Sequence, residues 1–85
     1  MIRVLFVCLG NICRSPMAEA VMRDLVAKRG LSAEIKVDSA GTADYHLGEP
    51  PHKGTKAKLA QYGISTAGMT ARQLKLKDMK EFDYI

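Results

Sequence analysis

A short apolar run that leads directly into a polar loop constrains the fold of this chain more than any other feature. Residues 2–7 are apolar apart from Arg3, which is typical of a strand that is covered on both faces. Pro16 then opens a helical pattern, where proline is tolerated because its missing N–H would have no partner in a first turn. The sequence therefore predicts a strand, a tight loop over residues 8–15 and a helix.

The residues after this loop predict a βαβ unit. Met17, Val21 and Leu25 recur at the spacing of an amphipathic helix, and Gly30 is typical of the position just beyond a helix end. Alternation over Glu34–Asp38 indicates a second strand. Two strands joined by a helix are expected to be parallel, and open sheets of this kind bind ligands at the carboxyl ends of their strands. The loop lies at that end.

The second half of the chain predicts loops and short elements. Residues 39–51 are rich in turn formers and predict a loop, residues 52–62 predict an exposed helix, and residues 78–81 predict a helical turn. Phe82–Ile85 has strand composition, and a strand that stopped there would leave an apolar, unpaired edge. We therefore expect a single domain over residues 1–85 that is truncated after the start of its third strand.

The composition narrows the possible functions. The chain has 85 residues, a net charge of +4 and 26% charged residues, as expected of one small globular domain. Six of its eight lysines are spread over the second half without an aromatic-flanked basic stripe, so we expect no nucleic-acid partner. No apolar run reaches the length of a membrane span, and the N-terminus lacks the pattern of a signal peptide. We expect a cytoplasmic protein with no membrane partner.

The two cysteines both lie in the loop and do not form a recognisable metal or redox pattern. They are not spaced as C-x-x-C, and His46 and His52 lie too far along the chain to complete a zinc site. Without a secretion signal, a structural disulfide framework is not expected either. We predict no metal and no cofactor.

The loop combines a thiol with a guanidinium. Cys8 opens it and Arg14 stands near its end, while backbone N–H groups and a helix N-terminus are expected to surround an anion between them. These groups favour the thiolate, which is the reactive form of cysteine. Arg14 can bind two phosphoryl oxygens at once, and attack by Cys8 on phosphorus would give a cysteinyl-phosphate.

Other loop residues suit the same chemistry. Gly10 and Asn11 tolerate positive φ, which lets N–H groups converge, and the Ser15 hydroxyl can donate to the Cys8 sulfur. Cys13 is not expected to be the nucleophile because it stands directly beside the guanidinium. It can instead form a reversible disulfide with Cys8, which protects the nucleophile from irreversible oxidation.

Residues 7–19 resemble the active-site signature of the low-molecular-weight protein tyrosine phosphatases. The resemblance continues through Asp38–Thr42, Gly48–Pro51, Ala71–Gln73 and Phe82–Ile85, and covers about the first half of the family's usual length. It implies a three-layer α/β fold with a parallel sheet, of the phosphotyrosine phosphatase I-like type, incomplete here at the C-terminal side. It also implies a redox-regulated hydrolase that acts on phosphotyrosine.

The resemblance implies specific roles for residues of the loop and of two later segments. Cys8 and Arg14 would be catalytic, and Cys13 would be the redox partner of Cys8. Phosphate would bind to the loop residues Leu9, Gly10, Asn11, Ile12, Cys13, Arg14 and Ser15. A hydrogen-bond network of Asn11, Ser15 and Ser39 would hold the loop. A pocket formed by Leu9, Ile12 and Tyr45 would receive the substrate ring.

Two departures from the family pattern affect the expected activity. Many members have a histidine in the loop-supporting network where this chain has Met69. Members also protonate the leaving group with the aspartate of an Asp-Pro segment near their C-terminus, and these 85 residues contain no Asp-Pro dipeptide. General acid catalysis is typically worth about 10²–10⁴-fold. We therefore expect low activity, mainly on esters with good leaving groups.

The expected partners are a phosphotyrosine-containing protein or a small aryl phosphate, with inorganic phosphate as the product. One alternative is a protein-arginine phosphatase of the same fold, which Ile12 disfavours because a smaller polar residue is expected there. Another is a non-catalytic phosphate-binding fragment, which the missing acid favours. Arsenate reduction needs further cysteines and ranks lower. Self-association through the exposed sheet edge is also expected.

Overall fold

Two parallel strands and three helices make up the computed structural model, which describes all 85 residues. In chain order they are strand β1, helix α1, strand β2 and helices α2 and α3, which span Ile2–Cys8, Arg14–Lys28, Ile35–Gly41, Lys53–Gln61 and Asp78–Glu81. The α/β class and the parallel βαβ unit are thus confirmed. None of the helices combines the length and the apolar composition that crossing a membrane requires.

The sheet places the end of β1 beside the end of β2. The two strands pair in parallel along their whole length and finish with Cys8 opposite Gly41. On the other side of β1, Val4 forms a single parallel bridge with Tyr84, within the segment predicted to begin a third strand. β1 is therefore the central strand, and the loop that follows it leaves from the middle of the carboxyl edge.

The core lies on both faces of this sheet, as the apolar run of β1 predicts. Val37 and Leu5 point to opposite faces because side chains alternate along strands, and both are buried. On α1, Ala20 and Val26 are buried as well. β1 is thereby fixed on both sides, which gives the following loop a rigid starting point.

Helix α1 does not bury the apolar face that the sequence spacing predicts. Val21 is 40% exposed and Leu25 is 45% exposed, whereas Glu19 is only 4% exposed. The buried face of α1 is instead the one that carries Ser15, Glu19 and Val26, where the Glu19 carboxylate has an internal hydrogen-bond partner. The end of the helix is as predicted, since Gly30 follows it with φ of 68°.

Strand β2 is longer than the sequence predicts. Ser39–Gly41 was expected to be part of a loop, yet these residues form the buried end of the strand. The reason is the close approach of the preceding loop to Gly41, where an added Cβ would lie 2.8 Å from the Leu9 carbonyl oxygen and 3.1 Å from the Asn11 nitrogen. The small side chains are therefore needed for packing and do not mark a turn.

Replacing Gly41 by alanine should displace the loop without unfolding the chain. The new methyl group would contact backbone atoms, which cannot move aside as a flexible side chain can. We expect phosphate or vanadate to bind roughly 10–100-fold more weakly, because a lost hydrogen bond to a charged group is worth about 1.5–3 kcal/mol. Isothermal titration measures the affinity, and circular dichroism checks the fold.

Gly54→Ala is the matched control, because a Cβ at that position would contact only the His52 side chain. A folded Gly41→Ala variant that binds vanadate as tightly as the control would show that the loop does not depend on this contact.

Candidate active site

The phosphate loop, defined as Cys8–Ser15, connects the last residue of β1 to the first turn of α1. Asn11 adopts φ of 58°, and it is the only residue other than glycine with positive φ. Gly10 does not have positive φ, so the reason given for it from the sequence is wrong. Its missing side chain instead leaves space for His46, whose ring carbon Cδ2 would lie 3.0 Å from an added Cβ.

The Cys8 sulfur lies at the point where donors of the phosphate loop converge. The Ser15 hydroxyl oxygen is 3.0 Å from it, and the Asn11 backbone N–H donates to it at 3.3 Å. Burial of the thiol raises its pKa, but the Ser15 hydroxyl and the backbone N–H groups of Ser15, Asn11 and Gly10 favour the thiolate and lower the pKa overall. The geometry therefore favours a nucleophilic sulfur.

A buried network, consisting of Asn11, Ser15 and Ser39, lies directly behind the phosphate loop. The Asn11 side-chain amide donates to the Ser15 hydroxyl at 2.8 Å and to the Ser39 hydroxyl at 2.9 Å. All three residues are at least 96% buried. The structure thus brings together the three residues that the resemblance assigns to loop support.

The departure at Met69 does not leave Asn11 without a partner. The side-chain carbonyl oxygen of Asn11 accepts a hydrogen bond from the backbone N–H of Arg72 at 3.0 Å. Met69 lines a polar cavity of about 270 Å³ on the side of Asn11 away from the thiol. The oxygen and the nitrogen of the Asn11 side-chain amide are therefore both hydrogen-bonded, although residue 69 is a methionine and not a histidine.

Two charged residues that sequence reasoning missed complete the support of the network. Glu19 accepts the Ser39 hydroxyl at 2.5 Å, and Arg72 donates to Asp38 and Asp78. The hydrogen bonds from Arg72 lower the pKa of Asp78 despite its burial. For Glu19 a signal was available, because it lies four residues after Ser15 and so projects from the same face of α1.

The mouth of the site is an open pocket of about 180 Å³ with both cysteine residues in its lining. Cys8 is partly buried and Cys13 is exposed, and both are free thiols. The exposed Arg14 forms no hydrogen bond or ion pair within the chain, so its guanidinium donors are free for a ligand. The full lining is Cys8, Leu9, Gly10, Ile12, Cys13, Arg14, Tyr45 and His46.

This lining contains the predicted pocket residues and one that was missed. Leu9 is 59% exposed and Tyr45 is 71% exposed, so both present apolar surface at the rim. His46 was given no role from the sequence, yet its ring lies in the mouth and its Nδ1 is 2.9 Å from a Glu49 carboxylate oxygen. No carboxylate lines the pocket itself, and no cluster of side chains suited to a metal ion is present.

Known proteins with similar sequences are described as low molecular weight protein tyrosine phosphatases. The sequence model of the family "Low molecular weight phosphotyrosine protein phosphatase" matches residues 3–85. The chain is similar to the low molecular weight protein-tyrosine-phosphatase YfkJ of Bacillus subtilis, with 62% identity over 85 residues, and to PtpA of Staphylococcus epidermidis, with 55% identity. All of this chain aligns with 54% and 53% of these proteins, so it spans about half their length.

Solved structures agree with the sequence comparison. The crystal structure of YfkJ matches the whole chain with a TM-score of 0.99 and 62% identity, and 54% of that protein is covered. The crystal structure of the Drosophila arginine phosphatase matches with a TM-score of 0.92 and 42% identity, and 52% of it is covered. One backbone arrangement therefore occurs in proteins whose names refer to two different phosphorylated residues.

Ser15→Ala should make the Cys8 thiol less acidic. Because the pKa of Cys8 is lowered, alkylation should stay fast below the ordinary thiol range and decline only as the pH falls through the lowered pKa. Loss of the Ser15 donor should move this decline to higher pH and slow alkylation about 10-fold at neutral pH, since a hydrogen bond to a charged group is worth about 1.5–3 kcal/mol.

The measurement is the pH dependence of iodoacetamide labelling at Cys8 by tandem mass spectrometry, whose fragment ions separate Cys8 from the exposed Cys13 within one peptide. Ser32→Ala, at an exposed position away from the loop, is the control. An unchanged pH profile in Ser15→Ala would mean that the 3.0 Å contact does not stabilise the thiolate.

Proposed function

Because the chain belongs to the low molecular weight phosphotyrosine protein phosphatase family, we propose that it supplies the phosphate-binding and nucleophilic parts of a protein tyrosine phosphatase. The observation that carries this proposal is the convergence of hydrogen-bond donors on the Cys8 sulfur, with the Ser15 hydroxyl at 3.0 Å. A structural cysteine needs no such donors. A thiolate that attacks phosphorus does, because it must stay ionised while it is partly buried.

In the proposed first step, the Cys8 thiolate attacks phosphorus in line with the ester oxygen. The sulfur–phosphorus bond forms as the phosphorus–oxygen bond breaks, and the electron pair of that bond leaves with the alcohol oxygen. Arg14 binds two of the non-bridging oxygens and the loop N–H groups bind the rest, so developing charge is stabilised by fixed donors. Phosphoryl transfer depends mainly on this positioning and charge stabilisation.

In the proposed second step, water attacks the cysteinyl-phosphate and inorganic phosphate is released. The sulfur leaves as a thiolate, and the Ser15 hydroxyl that stabilised it before attack stabilises it again as a leaving group. This use of one donor in both steps is supported by the burial of Ser15 and by its hydrogen bond from the Asn11 side chain, which hold the hydroxyl 3.0 Å from the sulfur.

The residues that line the mouth include no carboxylic acid that could protonate the leaving group. The sequence also contains no Asp-Pro dipeptide. We propose that the chain alone turns over slowly and depends steeply on the acidity of the leaving alcohol. The loss of general acid catalysis is typically worth about 10²–10⁴-fold.

Phosphotyrosine, in a protein or as a small aryl phosphate, is the proposed substrate. Leu9 and Ile12 offer apolar walls and Tyr45 an aromatic rim, which suit a ring better than an aliphatic chain. The likeness to the Drosophila arginine phosphatase makes phosphoarginine the second candidate. Ile12 argues against it, because a branched apolar side chain offers no partner for a guanidinium.

We also propose redox regulation, a cytoplasmic location and self-association. Cys13 lies in the same pocket as Cys8 and would trap its sulfenic acid as a disulfide, which makes the enzyme redox-regulated. The protein would act in the cytoplasm, where thiols are kept reduced. The exposed side chain of Tyr84, which lies at the edge of the sheet, would support self-association through that edge.

Cys8→Ser should abolish turnover and retain binding. We expect release of p-nitrophenol from p-nitrophenyl phosphate to fall to the level of buffer, because serine is not ionised at this pH. Vanadate or phosphate should still bind, since Arg14 and the loop N–H groups remain. If the unsubstituted chain binds phosphate but shows no turnover above Cys8→Ser, the chain is a binding module only.

Phosphotyrosine and phosphoarginine peptides of the same sequence should be hydrolysed at different rates. We expect higher kcat/KM for phosphotyrosine by about 10-fold or more, the discrimination typical of a pocket with matched apolar contacts. Ile12→Thr should narrow the difference by removing apolar surface, and Val21→Thr, on the exposed face of α1, serves as its control. Faster hydrolysis of phosphoarginine by the unsubstituted chain would reverse the assignment.

A further inference from the structure

Glu19 is a buried carboxylate that the proposed reaction does not use. It is 4% exposed, and it lies on α1 behind the phosphate loop. One of its oxygens accepts the Ser39 hydroxyl at 2.5 Å and the other pairs with the Arg23 guanidinium at 2.5 Å. Burying a carboxylate is costly unless it is paired and hydrogen-bonded, so its presence at this position needs an explanation.

The position of every proton in the network can be assigned from its contacts. The backbone N–H of Arg72 can only donate, so the Asn11 atom that it contacts is the carbonyl oxygen. Both hydrogens of the Asn11 amide therefore point to the two serine oxygens, Ser15 Oγ and Ser39 Oγ. Each serine already accepts a hydrogen from Asn11 and must direct its own hydroxyl hydrogen elsewhere.

Each of these two hydroxyl hydrogens has one acceptor within reach. The Ser15 hydroxyl lies 3.0 Å from the Cys8 sulfur, and the Ser39 hydroxyl lies 2.5 Å from the Glu19 carboxylate. If Glu19 did not accept, the Ser39 hydrogen would turn toward the Asn11 amide and repel it. The amide would then shift, and its bond to Ser15 Oγ, which directs the Ser15 hydroxyl at the sulfur, would weaken.

We propose that Glu19, with Arg23 as its counter-ion, is a positioning residue that keeps the Ser15 hydroxyl donating to the Cys8 thiolate through Ser39 and Asn11. The chain of contacts runs from the carboxylate to the sulfur in four hydrogen bonds, each 3.0 Å or shorter. The effect on thiol acidity stands independently of turnover. Only its consequence for catalysis rests on the proposed phosphatase function.

The charges around Glu19 determine whether it can accept. Burial raises the pKa of Glu19, and the negative charge of Asp38 raises it further. The Ser39 hydrogen bond and the positive charges of Arg23 and Arg72 lower it. Overall the pKa of Glu19 is raised. Arg23 is thus the group on the same helix that favours the ionised, accepting form. Its guanidinium also donates to the Val37 carbonyl oxygen at 3.2 Å, which ties this charge to β2.

The test is the effect of Glu19→Met on the acidity of the Cys8 thiol, because methionine fills a similar volume and lacks the oxygen atoms that accept the Ser39 hydroxyl. We expect the pH–rate profile of iodoacetamide labelling at Cys8 to move to higher pH, with about 10-fold slower labelling at neutral pH. Asp24→Asn is the matched control, because Asp24 pairs with Lys28 at 2.8 Å on the same helix and makes no contact with the network. It should leave the profile unchanged.

A double-mutant cycle distinguishes positioning from a general structural role. In a Ser39→Ala background, Glu19→Met should move the profile little further, because the carboxylate acts through the Ser39 hydroxyl. If Glu19→Met fails to fold, Arg23→Met provides the second variant, since it keeps the carboxylate but removes its counter-ion. It should move the profile in the same direction by a smaller amount.

A folded Glu19→Met or Arg23→Met variant with lower thermal stability and an unchanged profile would overturn the proposal. So would full additivity of Glu19→Met and Ser39→Ala. Absence of phosphatase turnover together with the predicted shift would count against the proposed function only, because labelling of the thiol requires no phosphate ester.

Discussion

The site depends on one physical constraint, which is that a partly buried sulfur must remain ionised. Burial alone would favour the neutral thiol, and the Ser15 hydroxyl and three backbone N–H groups reverse that preference. These donors are effective only if the loop holds them at one point. Much of the surrounding structure can be understood as the means of holding them there.

Rigidity of the loop is provided by buried polar contacts. Asn11 is held at positive φ, a conformation that is unfavourable for most residues, and its amide is fully hydrogen-bonded in a buried position. The carbonyl of that amide is bound by the backbone of Arg72, whose guanidinium is in turn held by the buried Asp78. A partly satisfied network of this kind would be costly, whereas a complete one defines a single loop conformation.

The sequence was informative where local chemistry determines structure and misleading where distant packing does. The strand–loop–helix order and the end of α1 before Gly30 follow from neighbouring residues, and both were predicted. Ser39–Gly41 was misread as a turn because small residues also occur where backbone from another segment packs closely. The contact between Asn11 and Arg72 joins residues 61 positions apart, and no local pattern could indicate it. Glu19 lies on the same face of α1 as Ser15, but its hydrogen-bond partner Ser39 lies on β2, so its side of the helix could be predicted and its contact could not.

If Cys8 is the nucleophile, phosphate becomes covalently attached to its sulfur during turnover. The decisive experiment mixes the chain with an aryl phosphate, quenches the reaction with acid within milliseconds to seconds, and locates phosphate on the peptides by mass spectrometry. We expect a phosphorylated peptide whose phosphate resides on Cys8, formed together with the released phenol and decaying to inorganic phosphate. Turnover without any phosphorylated Cys8, or with phosphate on another residue, would rule out Cys8 as the nucleophile.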